Sequence, residues 1–287
     1  MSAILSTPAA VPEKDLKDQH AAVFDRLSKL PPFHPAAAKL LSISSECQGA
    51  ISEFEKVFKS DPALTADLLL VANSAAFGFR CRVETIKHAL TLLGLERVRS
   101  LGFTIALSVY VRNAPRNQDV RNAWAHSIAT AVIAEALGKV YDYPGIYTAG
   151  LMHDVGRLGL LLSAGDKYAE ALCKDFSDID ESNKLEKVLF GVNHCEAGAL
   201  VARTWGFPDS LQACMANHHA PATGGWKSAD GLVCLACRMA DWLGFPEIQR
   251  RNLQTAPEIP PPIQQNPDLE PERLRQLIQT QLAATAA

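Results

Sequence analysis

No block of like charges, no stretch of about 18 uninterrupted apolar residues and no clear alternation of apolar and polar residues occurs in this 287-residue sequence. The first absence excludes an electrostatic footprint for nucleic acid. Lys plus Arg number 28 against 31 Asp plus Glu, a formal charge of −3 spread along the whole chain, and no direct nucleic-acid binding is expected. The second argues against a membrane span, and the N-terminus lacks the charged start and apolar core of a signal peptide. The third leaves no strands and points to an all-α fold. A paired cysteine framework is missing too: the seven cysteines are odd in number and scattered through apolar helix-like stretches, which suits buried free thiols in a reducing, cytoplasmic compartment.

What is present is apolar content arranged with helical period. Hydrophobic residues make up 48% of the chain, enough for a sizeable core. Residues 1–15 carry Ala, Pro and Ser without a period and read as a loose tail. Residues 16–115 hold five or six helices. Among them, Ser52 with Glu55 reads as a capping box, Asp61 before Pro62 as an N-cap, and Asn73 as a group that hydrogen-bonds a neighbouring segment where its helix stops. A polar break at Asn113–Asn117 separates this half from residues 116–250. There, helices are expected near 118–140, from Pro144 through His153-Asp154, and near 182–190, 194–205, 208–219 and 229–243. Residues 251–287 begin with Pro257, Pro260, Pro261, Pro262 and Pro267, a stiff extended connector, and end in one amphipathic helix from about Pro271 to Leu282.

The second half carries the chemistry. His153-Asp154 places two metal-ligand types inside the apolar run Gly150–Leu160, where burying an ionised carboxylate costs several kcal/mol unless it is paired, hydrogen-bonded or metal-bound. His126, His194, His218, His219 and Asp241 each sit within or at the end of another apolar helix-like segment. Five imidazoles and two carboxylates spread over several helices match the needs of a site for two divalent transition metals, with iron, manganese and zinc all suited to mixed His and Asp ligation. A purely structural histidine cluster is the competing interpretation. Arg157 follows His153 by four residues and Asp154 by three, so all three side chains can share one side of a helix. Cys234-x-x-Cys237 has the spacing of half a zinc site without a second half, and reads as inert thiols.

The order His126, His153-Asp154, His194, His218-His219, Asp241 resembles the ligand order of the HD phosphohydrolase superfamily, and most closely its HD-GYP branch. The wider text is similar to the HDOD domain, the HD-related output domain of bacterial signalling proteins. Leu30-Pro31-Pro32, Asp61-Pro62-Ala63-Leu64, Ala72-Asn73-Ser74-Ala75 and the Gly94 segment carry that likeness in the first half. Trp124-Ala125-His126-Ser127, Gly150 to Arg157, His194-Cys195-Glu196-Ala197-Gly198 and Trp205-Gly206-Phe207-Pro208 carry it in the second, so that it spans roughly residues 16 to 245. The resemblance implies an N-terminal helical bundle packed on an HD-like helical domain as one HDOD unit. It also implies a regulatory module that senses a metal or nucleotide ligand and meets signalling proteins, the alternative being a metal-dependent phosphohydrolase. In that alternative Asp154 and Arg157 would be the catalytic pair, Asp154 shared between two cations and Arg157 neutralising charge on phosphate. Three departures from the HD-GYP pattern stand out. Gly156-Arg157 replaces Gly-Lys, Asn122 occupies the place of a third-metal glutamate, and Ala220–Gly225 replaces the Gly-Tyr-Pro loop.

Overall fold

Apolar residues at helical spacing fold the first half into α1 (Glu13–Ser28), α2 (Pro35–Ser42), α3 (Ala50–Lys59), α4 (Pro62–Ala72), α5 (Ile86–Leu93) and α6 (Leu95–Arg112). The second half comprises α7 (Gln118–Tyr141), α8 (Ile146–Met152), α9 (Val155–Ala164), α10 (Asp166–Leu172), α11 (Ile179–Phe190), α12 (His194–Thr204), α13 (Asp209–Asn217) and α14 (Ala229–Trp242), followed by α15 (Pro261–Gln264) and α16 (Pro271–Thr285). This computed structural model describes residues 13–112, 118–143, 145–172, 179–220, 225–247, 256–264 and 266–285, and no strand occurs among them. The N-terminal tail to residue 12, the polar break at 113–117, Pro144 and positions 221–224 of the Ala220–Gly225 segment lie outside the described residues. No helix among those described is long and apolar enough to cross a membrane.

Two helices are buried on nearly every side along their middle turns and are central. In the first half it is α6, buried almost continuously from Val98 to Ser108, with α2, α4 and α5 packed around it. In the second it is α7, buried from His126 to Ala134, with α8, α14 and α16 against it. The halves share one hydrophobic core. At their seam the Phe33 ring lies 5.4 Å from Phe103 and 5.2 Å from both Trp205 and Phe207, while Trp205 Nε1 donates to Pro31 O at 3.0 Å. Although first in sequence, α1 packs on α9, α11 and α12 of the second half.

Local chemistry sets most helix ends. Asp61 caps α4 by accepting from Leu64 N at 2.9 Å, and Asn73 bridges to Val83, its Oδ1 accepting from Val83 N and its Nδ2 donating to Val83 O, each at 2.8 Å. The capping box expected at Ser52 and Glu55 does not form. The N-cap is Gly49, three residues before Ser52, and Glu55 pairs with Lys59 one turn on at 3.0 Å. The connector expected to be stiff and extended is instead folded where it is described. Pro261–Gln264 makes a helical turn and Pro267–Leu269 a 3-10 turn, burying Ile263 and Leu269, and α16 then lies along α7 and touches α6.

Candidate metal centre

The expected single helix through His153-Asp154 is broken there: α8 ends at Met152 and α9 starts at Val155, with Asp154 at φ −107 and ψ 22. The break is possible because Gly156 lets α9 meet α12 backbone to backbone. A Cβ on Gly156 would lie 1.9 Å from His194 O and 2.5 Å from Gly198 N. On the facing helix Asn193 and Glu196 form a capping box, Asn193 Oδ1 accepting from Glu196 N at 2.9 Å and Glu196 Oε2 accepting from Asn193 N at 3.1 Å. That box fixes His194 as the first residue of α12, opposite Asp154 and Arg157.

Four imidazoles are oriented in the same way. His126 Nδ1 donates to Phe245 O at 2.8 Å, His153 Nδ1 to Gly150 O at 2.6 Å and His218 Nδ1 to Met215 O at 2.8 Å, while His194 Nδ1 donates to Glu186 Oε2 at 2.8 Å. A carbonyl can only accept, and the Glu186 carboxylate accepts as well, so each Nδ1 carries the proton and each Nε2 presents a lone pair. This is the arrangement usual for histidines that bind a metal through Nε2. The four rings are fully buried. Burial pushes the His153 and His218 imidazoles well below their ordinary range and lowers His194, which keeps them neutral.

All seven ligand-type residues expected from the sequence come together. Nε2 of His126 and Nε2 of His153 lie 3.3 Å apart, and Nε2 of His194 lies 3.0 Å from Nε2 of His219. Asp154 is buried with no hydrogen bond to either oxygen, although its Oδ2 lies 3.0 Å from Arg157 Nε and its Oδ1 3.9 Å from His194 Nε2. Burial raises its carboxyl well above the usual range. Asp241 sits on the far side of His126, its Oδ1 3.5 Å from Nδ1, and accepts from Glu247 N at 2.7 Å. His218 groups with Asp154, His194 and Glu247 as atoms close enough to share one ion.

Arg157 is fully buried at the heart of this cluster. Its guanidinium donates to Glu186 Oε1 at 3.0 Å, to Tyr168 Oη at 3.1 Å and to Glu247, in addition to the Asp154 contact. Burial alone would raise the Glu186 carboxyl, yet the facing His194 and Arg157 hold it down to about 2. Glu247 is likewise held well below the usual carboxylate range against its burial, by Arg157 and His219.

Sequence reasoning missed Glu186, Glu247, Cys195 and Tyr168, and read Cys237 as an inert thiol. Glu186 did leave a trace, since Ser182, Glu186 and Phe190 fall four apart on the one buried face of α11. Glu247 follows a Gly-Phe-Pro turn and leaves none. Cys237 of α14 lies with Sγ 3.5 Å from His126 Nε2, and Cys195 with Sγ 3.6 Å from His194 Nε2.

The described residues form an all-helical body whose buried imidazole and carboxylate cluster lies on α7 and on the second-half helices around it. The HDOD domain family model matches residues 30–221, and the chain belongs to that family. An uncharacterized protein of Treponema pallidum (strain Nichols) is 26% identical over 210 residues, covering 69% of this chain and 39% of that protein, so the chain spans about two fifths of its relative's length. Among solved structures, an HDOD domain protein of unknown function from Geobacter sulfurreducens has a TM-score of 0.68 at 21% identity over 95% of this chain and 96% of that one. A candidate signal transduction protein from Marinobacter aquaeolei VT8 gives 0.69 at 18% identity over 96% of this chain and 66% of that one. A candidate phosphohydrolase from Shewanella amazonensis SB2B gives 0.60 at 23% over 93% and 96%. These likenesses establish the shared fold.

Proposed function

We propose that the chain is a signal-transduction module whose HD-like pocket holds a divalent transition metal for regulation, not for turnover, while its helical surfaces meet signalling proteins. One observation carries this reading. Arg157, standing where the resemblance to HD-GYP enzymes places a phosphate-handling lysine, is fully buried and commits its donors to Glu186, Glu247 and Tyr168, with Asp154 alongside. A substrate phosphate would have to break ion pairs in a low-dielectric interior to reach it, and breaking such a pair costs about 3–5 kcal/mol.

Metal binding is supported by the donor set. Four Nδ1 atoms are satisfied by protein oxygens, which leaves the Nε2 lone pairs of His126, His153, His194 and His218 turned inward, with His219 and the hydrogen-bond-free Asp154 carboxylate among them and Asp241 behind His126 on its Nδ1 side. Iron, manganese and zinc all suit such donors. A bound metal of this kind would act as a Lewis acid and acidify a bound water. The chain's own residues do the rest. Phe245, Gly150 and Met215 carbonyls orient the rings, and Glu186 holds His194 while drawing Arg157 in beside it.

The test is a turnover assay on metal-loaded protein with cyclic dinucleotides, nucleotide monoesters and an activated phosphodiester. No turnover is expected, while Asp154→Asn should shift thermal stability or partner binding. Metal-dependent hydrolysis of a nucleotide at about 1 per second or faster would establish the phosphohydrolase instead, with Asp154 and Arg157 in its machinery.

A further inference from the structure

We infer that the pocket takes a single thiolate-ligated zinc ion, held by His126, His153 and Cys237, and that the Arg157 guanidinium stands in the place of a second cation. The inference rests on the metal-binding reading above and narrows it to one ion, one class of metal and one ligand that the sequence motif does not contain.

The first support is an unsatisfied contact. With their Nδ1 protons given to Phe245 O and Gly150 O, His126 and His153 face each other through two Nε2 lone pairs 3.3 Å apart. His126 Nε2 has Thr130 Oγ1 at 3.4 Å and Cys237 Sγ at 3.5 Å, but His153 Nε2 meets no donor among the described residues. Two facing lone pairs in a dry interior repel, and a cation between them removes the repulsion. The second support is size. Zn–N distances of about 2.0–2.1 Å and Zn–S of about 2.3 Å at tetrahedral angles put two nitrogens about 3.4 Å apart and a nitrogen and a sulfur about 3.5–3.6 Å apart. The separations of 3.3 Å for the nitrogens and 3.5 Å for Cys237 Sγ to His126 Nε2 match those edges. All three donor atoms lie within 4.8 Å of one another. Two imidazoles and a thiolate select zinc over the oxygen-preferring magnesium and manganese. On binding, the Zn–S bond forms as the Cys237 S–H proton leaves to solvent.

The neighbouring group, His194 with Cys195, His218 and His219, differs in two respects. Its facing nitrogens are already bridged, because His219 Nε2 lies 3.0 Å from His194 Nε2 and 3.1 Å from Glu247 Oε1, so one proton serves the contact. Beside it Arg157 Nη2 lies 3.5 Å from His194 Nε2. A guanidinium is permanently charged. It engages Asp154, Glu186 and Glu247, the carboxylates that would otherwise offset a second metal's charge.

The 287-residue chain, purified without an affinity metal and loaded with zinc, should contain about one zinc per chain, with X-ray absorption showing one sulfur at about 2.3 Å. The cobalt-substituted protein should show a thiolate-to-cobalt charge-transfer band. Cys237→Ser should abolish that band and weaken zinc binding more than about 100-fold, beyond what loss of an outer supporting group costs, whereas Cys195→Ser should retain both. Circular dichroism reports that each variant is folded, and absorption on the unaltered chain needs no variant. Two zinc ions per chain, a shell without sulfur, or a band lost in Cys195→Ser and kept in Cys237→Ser would overturn the single thiolate site while sparing the metal-binding reading. No bound zinc, iron or manganese would overturn both.

Discussion

His153, His194 and His218 are held neutral by burial, and this has a thermodynamic consequence for the metal-free protein. Their folded pKa values lie below that of a free imidazole, so the unfolded chain takes up these protons first as pH falls. Their contribution is whole above a pH of about 6.5 and declines below it, by up to about 1.4 kcal/mol per pH unit for each group. Asp154 acts in the opposite sense. Burial raises its carboxyl, so wherever the folded state holds that proton and the unfolded chain has lost it, Asp154 offsets part of the loss. With three imidazoles against one carboxyl, the net expectation is a loss of stability on acidification below a pH of about 6.5. Glu186, held at about 2, adds to the loss once the pH falls below the ordinary carboxylate range. Urea unfolding of chelator-treated protein between pH 8 and 5 checks this, and a flat profile would mean that these rings titrate as exposed ones do.

At the scale of elements, the site depends on how closely α9 and α12 approach. Gly156 is the point of contact, and the atoms its Cβ would meet are backbone atoms of His194 and Gly198, which cannot rotate aside. Gly156→Ala should therefore force the helices apart and lower stability by about 3 kcal/mol or more, the upper end of overpacking. It should also weaken zinc binding by shifting His153, which closes α8 three residues before Gly156. Thermal melts and zinc titration of the variant check both, and a stability within about 0.5 kcal/mol of the parent would show that the two helices are free to part.

For the molecule as a whole, the C-terminal segment is part of the body. Ile263, Leu269, Leu274 and Ile278 are fully or nearly fully buried against α7 and its surroundings, Arg275 Nε donates to Leu243 O at 3.2 Å, and Arg97 of α6 reaches Gln281 Oε1 at 3.2 Å. The segment thus ties the two halves together across α6, α7 and α14. Each buried aliphatic side chain contributes about 1.5–3 kcal/mol, so deletion of residues 256–287 should cost on the order of 5 kcal/mol and expose an apolar stripe on α7. Calorimetry and dye binding of the truncated chain would check this. An unchanged melting temperature would mark the segment as an accessory.

The sequence by itself determined many of the helices and their faces, because a 3.6-residue period is a local property: α4, α7 and α14 fall within about two residues of where apolar spacing and capping residues put them. It also determined that His126, His153, Asp154, His194, His218, His219 and Asp241 belong together, since each is a polar group on an apolar face that needs partners. The Ser52 and Glu55 pair shows the limit of the capping-box signal, because an i,i+4 ion pair takes the same glutamate, while the box that does form, at Asn193 and Glu196, was not read from the sequence. Tertiary structure alone decided what those partners are. Glu186 and Glu247 reach Arg157 across 29 and 90 residues of chain, and Cys237 reaches His126 across 111, separations over which no periodicity carries information. Those long-range contacts make Arg157, given a phosphate role only in the phosphohydrolase alternative, a buried counter-charge, and make a thiol read as inert a neighbour of the facing imidazoles.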